Sequence, residues 1–259
     1  MATWGQARGA APAHHPCLRA PPVSTQAFEH AHSGVGEAPP ERRTSALLPQ
    51  PVVDAALRVI DRLARFLVAR GVTANTVTVG SLFLAAVASA CLATGWFGWG
   101  ALAGTVAALG DALDGAIARR NPRAASVAGA LLDASADRYG EFLLLGGLAI
   151  HFRDHLAPLA LTLGAMAGSF MVSYGSAKAE ALRVPVPGGV MRRPERAMCL
   201  CAGISATAVF SLLAGRGDVP AWTARAPVFA ALGLLAFVAN ASAIARLRLL
   251  ARAPGRSLD

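Results

Sequence analysis

The chain has 259 residues, of which 54% are apolar and only 15% charged, and its mean hydropathy is +0.47. Soluble domains carry about 25% charged residues, so this composition excludes an ordinary soluble protein. The net charge of +9 rests on 24 basic and 15 acidic side chains. Because no alternation of basic and aromatic residues accompanies it, we expect arginine-rich loops beside a membrane and no nucleic-acid partner.

The amino-terminal residues 1–50 mix Ala, Pro, Gly, His and Arg without periodicity, which predicts a disordered tail. In residues 51–70, charged and apolar side chains recur at helical spacing, which predicts an amphipathic juxtamembrane helix. The arginines Arg58, Arg62, Arg65 and Arg70 would then face anionic lipid headgroups of the cytoplasmic leaflet. The alternative is a helix packed against a soluble domain.

Six apolar segments follow, each long enough to cross a hydrocarbon core of about 30 Å. They lie near residues 76–94, 97–118, 127–150, 156–182, 197–213 and 227–245. We therefore predict an all-α integral membrane protein with six transmembrane helices, whose six-helix transmembrane domain covers 71–250 and whose cytoplasmic tail covers 251–259. Arginines concentrate in alternate connections, so we expect a multi-pass cell membrane protein with both termini in the cytoplasm.

Four aspartates lie inside the second and third apolar segments, namely Asp111, Asp114, Asp133 and Asp137. Each costs about 2.5–3.5 kcal/mol at the centre of a membrane helix, so all four must face a polar site. Spacings of three and four residues place each pair on one helix face, and the turn between the helices brings both pairs to a similar depth. Hard cations with all-oxygen ligands would neutralise them. We predict a site for Mg²⁺ or Mn²⁺, with two ions.

Small residues and one arginine accompany these carboxylates. Gly115 follows Asp114, and Gly129 precedes Asp133 by one turn, so a ligand or a facing helix can approach the backbone closely. Arg119 lies one turn beyond Gly115, where a fixed positive charge suits a phosphate group beside the metal site.

The full pattern resembles the signature of the CDP-alcohol phosphotransferases. It reads Asp111-x2-Asp114-Gly115-x2-Ala118-Arg119-x9-Gly129-x3-Asp133-x3-Asp137. The resemblance covers about residues 52–250. It implies a membrane enzyme of phospholipid biosynthesis that transfers a phosphatidyl group from CDP-diacylglycerol to an alcohol and releases CMP.

The resemblance also implies roles for individual residues. It makes Asp111, Asp114 and Asp133 metal ligands, while Asp137 completes the metal site and acts as general base on the acceptor hydroxyl. It assigns donor binding to Gly115, Ala118, Arg119 and Gly129. Together with the many Gly and Ala positions of the outer segments, it implies a homodimer.

The region after the fourth segment resembles the bacterial phosphatidylinositol phosphate synthase branch of that family, in which basic residues bind the phosphate of the acceptor. Lys178, Arg193 and Arg196 are the corresponding candidates here, and Ser176 stands where a lysine is common. We therefore expect a phosphorylated acceptor, with inositol phosphate favoured over glycerol phosphate. Judged from the residues alone, these arginines could equally be loop charges that set the topology.

A cation transporter that uses the same aspartates is the alternative function from another class, since membrane-embedded carboxylates suit either role. Arg119 beside the carboxylates would oppose the passage of cations, and Gly115 leaves room for a bulky ligand. Both features favour the enzyme.

Overall fold

The structure, a computed structural model, describes residues 50–120, 126–185, 191–217 and 221–252, and all regular structure within these ranges is helical. The helices are α1 (Gln50–Ala69), α2 (Ala74–Ala93), α3 (Phe97–Arg120), α4 (Val127–His151), α5 (Leu156–Ala181), α6 (Arg193–Arg216), α7 (Ala226–Leu234) and α8 (Asn240–Arg252). This confirms the all-α class. The predicted tail at 1–50 lies outside the described residues except for Gln50, and the predicted tail at 251–259 is described only at its first two residues, which still belong to α8.

Five helices are long and apolar enough to cross a membrane: α2, α3, α5, α6 and the composite segment Thr223–Arg252 that contains α7 and α8. The third predicted span, α4, has 25 residues and would be about 37 Å long, which also suffices. It carries four charged side chains, Asp133, Asp137, Arg138 and Glu141. The count of six spans therefore stays a prediction.

Helix α1 is the predicted amphipathic helix. Its Ala64 is fully buried against Ala116 and Ile117 of α3, and its Asp61 forms ion pairs with Arg120 and with Arg65. Several large apolar side chains of α1 stay exposed, namely Leu57, Val59, Leu63 and Phe66. This helix is thus docked on the end of α3 and still offers apolar surface to lipid.

Helix α2 packs along both α3 and α4, whereas α3 and α4 have little direct contact with each other. The close packing of α2 on α4 depends on Gly147, because a Cβ at this position would lie 2.5 Å from the carbonyl oxygen of Ser89. With α2 holding the two aspartate-bearing helices from one side, a cleft stays open between them. The start of α6 lies against this cleft through contacts between α6 and α3.

The last span is interrupted by a π-helical turn, Leu235–Ala239. Just beyond it, the side-chain amide of Asn240 donates to the carbonyl oxygens of Gly164 at 2.8 Å and Ala236 at 2.6 Å. Asn240 thereby satisfies a backbone carbonyl within the irregular turn and ties this span to α5. Hydropathy does not detect such a turn.

Helix α6 begins earlier than its apolar segment predicts, at Arg193 instead of near residue 197. Pro194 occupies the first turn, where a missing backbone N–H costs nothing, and the Glu195 carboxylate accepts from the backbone N–H of Arg192 at 2.9 Å. The first turn is charged, so hydropathy does not include it. As a result, Arg193 and Arg196 belong to a helix that packs on α3.

Candidate active site

Asp114 is the most deeply buried of the four aspartates, with 3% of its surface exposed. Its Oδ2 accepts a hydrogen bond of 2.7 Å from the hydroxyl of Thr78 on α2. Its Oδ1 is buried and has no hydrogen-bond partner among the described residues. A buried carboxylate oxygen without a donor is stabilised by a cation, so Asp114 fits a metal-binding role.

Asp111 and Asp137 approach each other from α3 and α4 across the cleft. The guanidinium of Arg193 lies between them, 2.6 Å from Asp111 Oδ2 and 2.5 Å from Asp137 Oδ1. Asp133 is exposed one turn before Asp137 on α4, and Asp114 lies one turn after Asp111 on α3. The structure thus joins one aspartate of each pair, Asp111 and Asp137, through Arg193.

Within the described part of the chain, no three carboxylate, imidazole or thiol groups converge closely enough to share one metal ion. The Arg193 guanidinium bridges two of these carboxylates, Asp111 and Asp137. The donor set itself consists of carboxylate oxygens and suits Mg²⁺ or Mn²⁺. The assignment of metal ligands stays a prediction.

The donor-binding candidates on α3 lie at its last two turns. The guanidinium of Arg119 folds over Gly115, where a Cβ would lie 3.4 Å from its Nη1. Arg119 also lines a groove of about 880 Å³ between α3 and α1, together with Arg58 and Arg62. Ala118 is exposed at the same end of the helix. Four arginines line this groove, Arg58, Arg62, Arg65 and Arg119, together with the carboxylates of Asp54 and Asp61. An anionic ligand there would pair with the arginines.

Gly129 lies in the first turn of α4 and donates its backbone N–H to the Ser126 hydroxyl at 3.0 Å. A Cβ on Gly129 would lie 3.2 Å from Asn75 Oδ1 on the first turn of α2. The first turns of α2 and α4 are therefore adjacent. Sequence reasoning gave Asn75 no role, although its segment, 71–76, precedes the first predicted span directly.

A second cavity of about 280 Å³ adjoins the aspartates. Its charged lining residues are Asp137, Arg138, Glu141, Glu180, Arg192, Arg193, Arg196 and Arg246. Two of the three predicted acceptor ligands, Arg193 and Arg196, belong to this wall. The third, Lys178, is exposed and does not line the cavity. Asp137 and Arg193 also line the smaller cavity that contains Asp111, so the two spaces share a wall.

Sequence reasoning did not assign Arg138 and Arg246 to a site. Arg246 on α8 contacts the hydroxyl of Ser176, and its Nε is buried without a hydrogen-bond partner among the described residues. In the sequence, Arg246 belongs to a run of carboxy-terminal arginines, a pattern that predicts the membrane orientation of the chain and no binding role. Arg138 directly follows Asp137, but only the packing of α4 against α5 places it on the cavity wall.

Arg196 differs from the other arginines of this cavity in being 2% exposed. It forms a double ion pair with Glu141, at 2.8 Å from Nε and 2.8 Å from Nη2. It also donates to the Met191 carbonyl and to the Ser173 hydroxyl, each at 3.2 Å. Its role in acceptor binding stays a prediction.

Comparison with known proteins identifies the family of this chain. The CDP-alcohol phosphatidyltransferase family profile matches residues 71–241. Phosphatidylinositol phosphate synthase of Mycolicibacterium smegmatis is 30% identical over 212 residues, covering 80% of this chain and 86% of that protein. The synthase of Mycobacterium marinum is 35% identical, covering 78% of this chain and 83% of that protein.

Solved structures of the Mycobacterium tuberculosis phosphatidylinositol phosphate synthase have the same fold. The complex with manganese and citrate has a TM-score of 0.63 at 26% identity and covers 77% of this chain and 92% of that chain. The CDP-DAG-bound structure has a TM-score of 0.63 at 28% identity, covering 78% and 98%. The aspartate signature, the helical membrane fold and the family match together show that this chain is an enzyme of the CDP-alcohol phosphatidyltransferase family.

Proposed function

We propose that this enzyme transfers a phosphatidyl group from CDP-diacylglycerol to a phosphorylated alcohol, with inositol phosphate favoured, and releases CMP. The observation that carries the proposal is the shared wall of the two cavities. Asp137 and Arg193 face both the space beside Asp111 and the arginine-rich cavity. A metal-dependent phosphoryl site thus opens directly into a pocket suited to an anion.

On the donor side, Arg119 and the small residues Gly115, Ala118 and Gly129 would hold the CDP diphosphate near the ends of α3 and α4. Asp111, Asp114, Asp133 and Asp137 would hold Mg²⁺ or Mn²⁺, with two ions expected. The metal would neutralise the diphosphate and the leaving CMP oxygen. The manganese complex of the tuberculosis synthase supports this use of a divalent ion.

Asp137 would take the proton of the acceptor hydroxyl as that oxygen attacks phosphorus. Its position supports this role, because Asp137 lines the acceptor cavity while Asp111 does not. An in-line displacement of CMP needs no covalent intermediate on the enzyme.

On the acceptor side, Arg193 and Arg246 would bind the acceptor phosphate, with Lys178 nearer the mouth of the cavity. Arg246 provides positive charge at Ser176, where a lysine is common in the synthase branch. An anion there would supply the bond that the buried Nε of Arg246 lacks. Arg196 is already neutralised by its ion pair with Glu141.

The relatives support both substrates, since they include phosphatidylinositol phosphate synthases and a structure with CDP-DAG bound. We further propose that the enzyme acts as a homodimer in the cell membrane with both termini in the cytoplasm. The orientation is supported by arginines at the end of α3 and at the start of α6, the end where the aspartates lie.

The test is a panel of acceptors with CDP-diacylglycerol in mixed micelles, comprising inositol phosphate, glycerol phosphate, serine and inositol. CMP release is measured, and the lipid product is identified by mass spectrometry. We expect phosphatidylinositol phosphate as the main product. Product from unphosphorylated alcohols alone would overturn the acceptor proposal, whereas phosphatidylglycerol phosphate would keep the phosphorylated class and change the acceptor.

A further inference from the structure

The start of α6 holds Arg193 in the active site, and one turn later Arg196 forms the least exposed ion pair of the described residues. Arg196 uses both edges of its guanidinium on Glu141, which lies one turn after Asp137 on α4. The pair therefore links the two helices that contribute Asp137 and Arg193. Its geometry is the two-point fork that makes Arg–carboxylate contacts directional.

Arg196 also fixes the chain that leads into α6. Its Nη1 donates to the carbonyl of Met191, a residue that is 4% exposed and has φ of +68°. A non-glycine side chain is strained at this φ and persists there only when its surroundings hold it. The contact with Ser173 on α5 completes a junction of three helices around one guanidinium.

These contacts leave Arg196 little to offer a phosphate group. Its charge is neutralised by Glu141, and most of its N–H groups already donate to Glu141, Met191 and Ser173. Arg193, by contrast, is 36% exposed and reaches both Asp111 and Asp137. The two arginines of one helix turn thus occupy different environments.

We propose that Glu141 and Arg196 are positioning residues that fix the start of α6, so that Arg193 is placed between Asp111 and Asp137 at the acceptor cavity. This inference rests on the proposed function of Arg193. Glu141 and Arg196 form part of the cavity wall, but in this proposal they act on the acceptor only through Arg193. Their ion pair ties the start of α6 to α4, and a displacement of about 1 Å there can cost roughly 100-fold in rate.

The test measures acceptor KM and kcat by radiolabelled CMP release for Glu141→Gln, Arg196→Gln and the double variant. Because both residues serve one contact, we expect each single change to lower kcat/KM for the phosphorylated acceptor about 10- to 100-fold, with the double variant no worse than either. If Arg196 instead bound the acceptor directly, Glu141→Gln would remove a negative charge from the cavity wall and would improve or preserve acceptor binding. That result would overturn the proposal.

A second cycle separates positioning from general stabilisation. Since Arg196 acts through Arg193, Arg193→Gln combined with Arg196→Gln should be no less active than Arg193→Gln alone. Losses that multiply in the double variant would contradict the proposal. Arg153→Gln, which removes an arginine from the exposed pair with Asp154, is the matched control and should retain wild-type kinetics.

Variants that keep the charge make the test robust to misfolding. Arg196→Lys and Glu141→Asp should fold and should still lose activity, because lysine cannot form the two-point contact and aspartate is too short to maintain it. Wild-type activity in both would overturn the proposal. The wild-type enzyme is first assayed with the full acceptor panel, which tests the proposed acceptor by itself. The Glu141 and Arg196 variants are then assayed with the alcohol that the wild type uses.

Discussion

At the residue scale, Asp137 is set apart from the other aspartates by its position between the two cavities. We predict that Asp137→Asn lowers kcat by about 10²- to 10⁴-fold, the range for loss of a general base, while CDP-diacylglycerol binding changes little. The measurements are CMP release and equilibrium binding of the donor in detergent. Asp154→Asn, in the exposed turn between α4 and α5, is the matched control. Near-normal turnover of Asp137→Asn would show that the base is another group.

Arg119 is the charged residue of the donor signature. Its guanidinium lies over Gly115 and lines the groove between α1 and α3. We predict that Arg119→Ala weakens donor affinity about 10- to 100-fold, since hydrogen bonds to charged groups contribute about 1.5–3 kcal/mol. Titration of CDP-diacylglycerol against the purified variant measures this effect. Arg216→Ala, at the far end of α6, should bind the donor normally, and an unchanged affinity in Arg119→Ala would count against a diphosphate contact.

At the scale of elements, the active site depends on α3 and α4 presenting two carboxylate pairs across a cleft. Metal removal should therefore abolish turnover, because the expected metal ions neutralise the CDP diphosphate and the leaving CMP oxygen. We expect a chelator to stop CMP release and added Mg²⁺ or Mn²⁺ to restore it. Full turnover in excess chelator, with metal content checked by elemental analysis, would be incompatible with the metal site.

Helix α2, which holds both aspartate-bearing helices, approaches α4 closely at Gly147. A Cβ there would lie 2.5 Å from a backbone oxygen that cannot move aside easily. We predict that Gly147→Ala destabilises the protein by about 1–3 kcal/mol, the usual cost of overpacking. Gly146→Ala is the control, because a Cβ at Gly146 meets nothing within 4 Å. Thermal unfolding in detergent compares the two variants, and equal melting temperatures would refute the packing argument.

At the scale of the whole molecule, much of the apolar surface is exposed to lipid or to another copy of the chain. The large exposed side chains include Phe83, Trp96, Trp99, Leu102 and Phe237. We predict a homodimer, seen on crosslinking in native membranes as a species of twice the chain mass of 26.5 kDa. The yield of this crosslinked species should persist when added lipid dilutes the protein in the bilayer. Crosslinks that arise from random collisions would become fewer on dilution. A monomer as the sole product would refute the dimer.

The sequence alone predicted the helical membrane class, most helix bounds to within a few residues and the aspartate signature. These features are local: apolar length defines the segments, and fixed spacing places carboxylates on a shared helix face. For the same reason, hydropathy began α6 only after its charged first turn and did not separate α7 from α8. Capping contacts and π-helical turns depend on single hydrogen bonds, which hydropathy does not detect.

Only the tertiary structure decided which charged groups meet. Arg193 lies 82 residues from Asp111 in sequence, yet the packing of α6 on α3 brings the two groups to 2.6 Å. Likewise Arg246 reaches Ser176 across 70 residues, while Lys178, a stronger candidate by sequence, is exposed outside the cavity. Helix periodicity determines the face of a residue on its own helix. Which other helix packs against that face depends on long-range contacts, and the local pattern of the sequence does not reveal them.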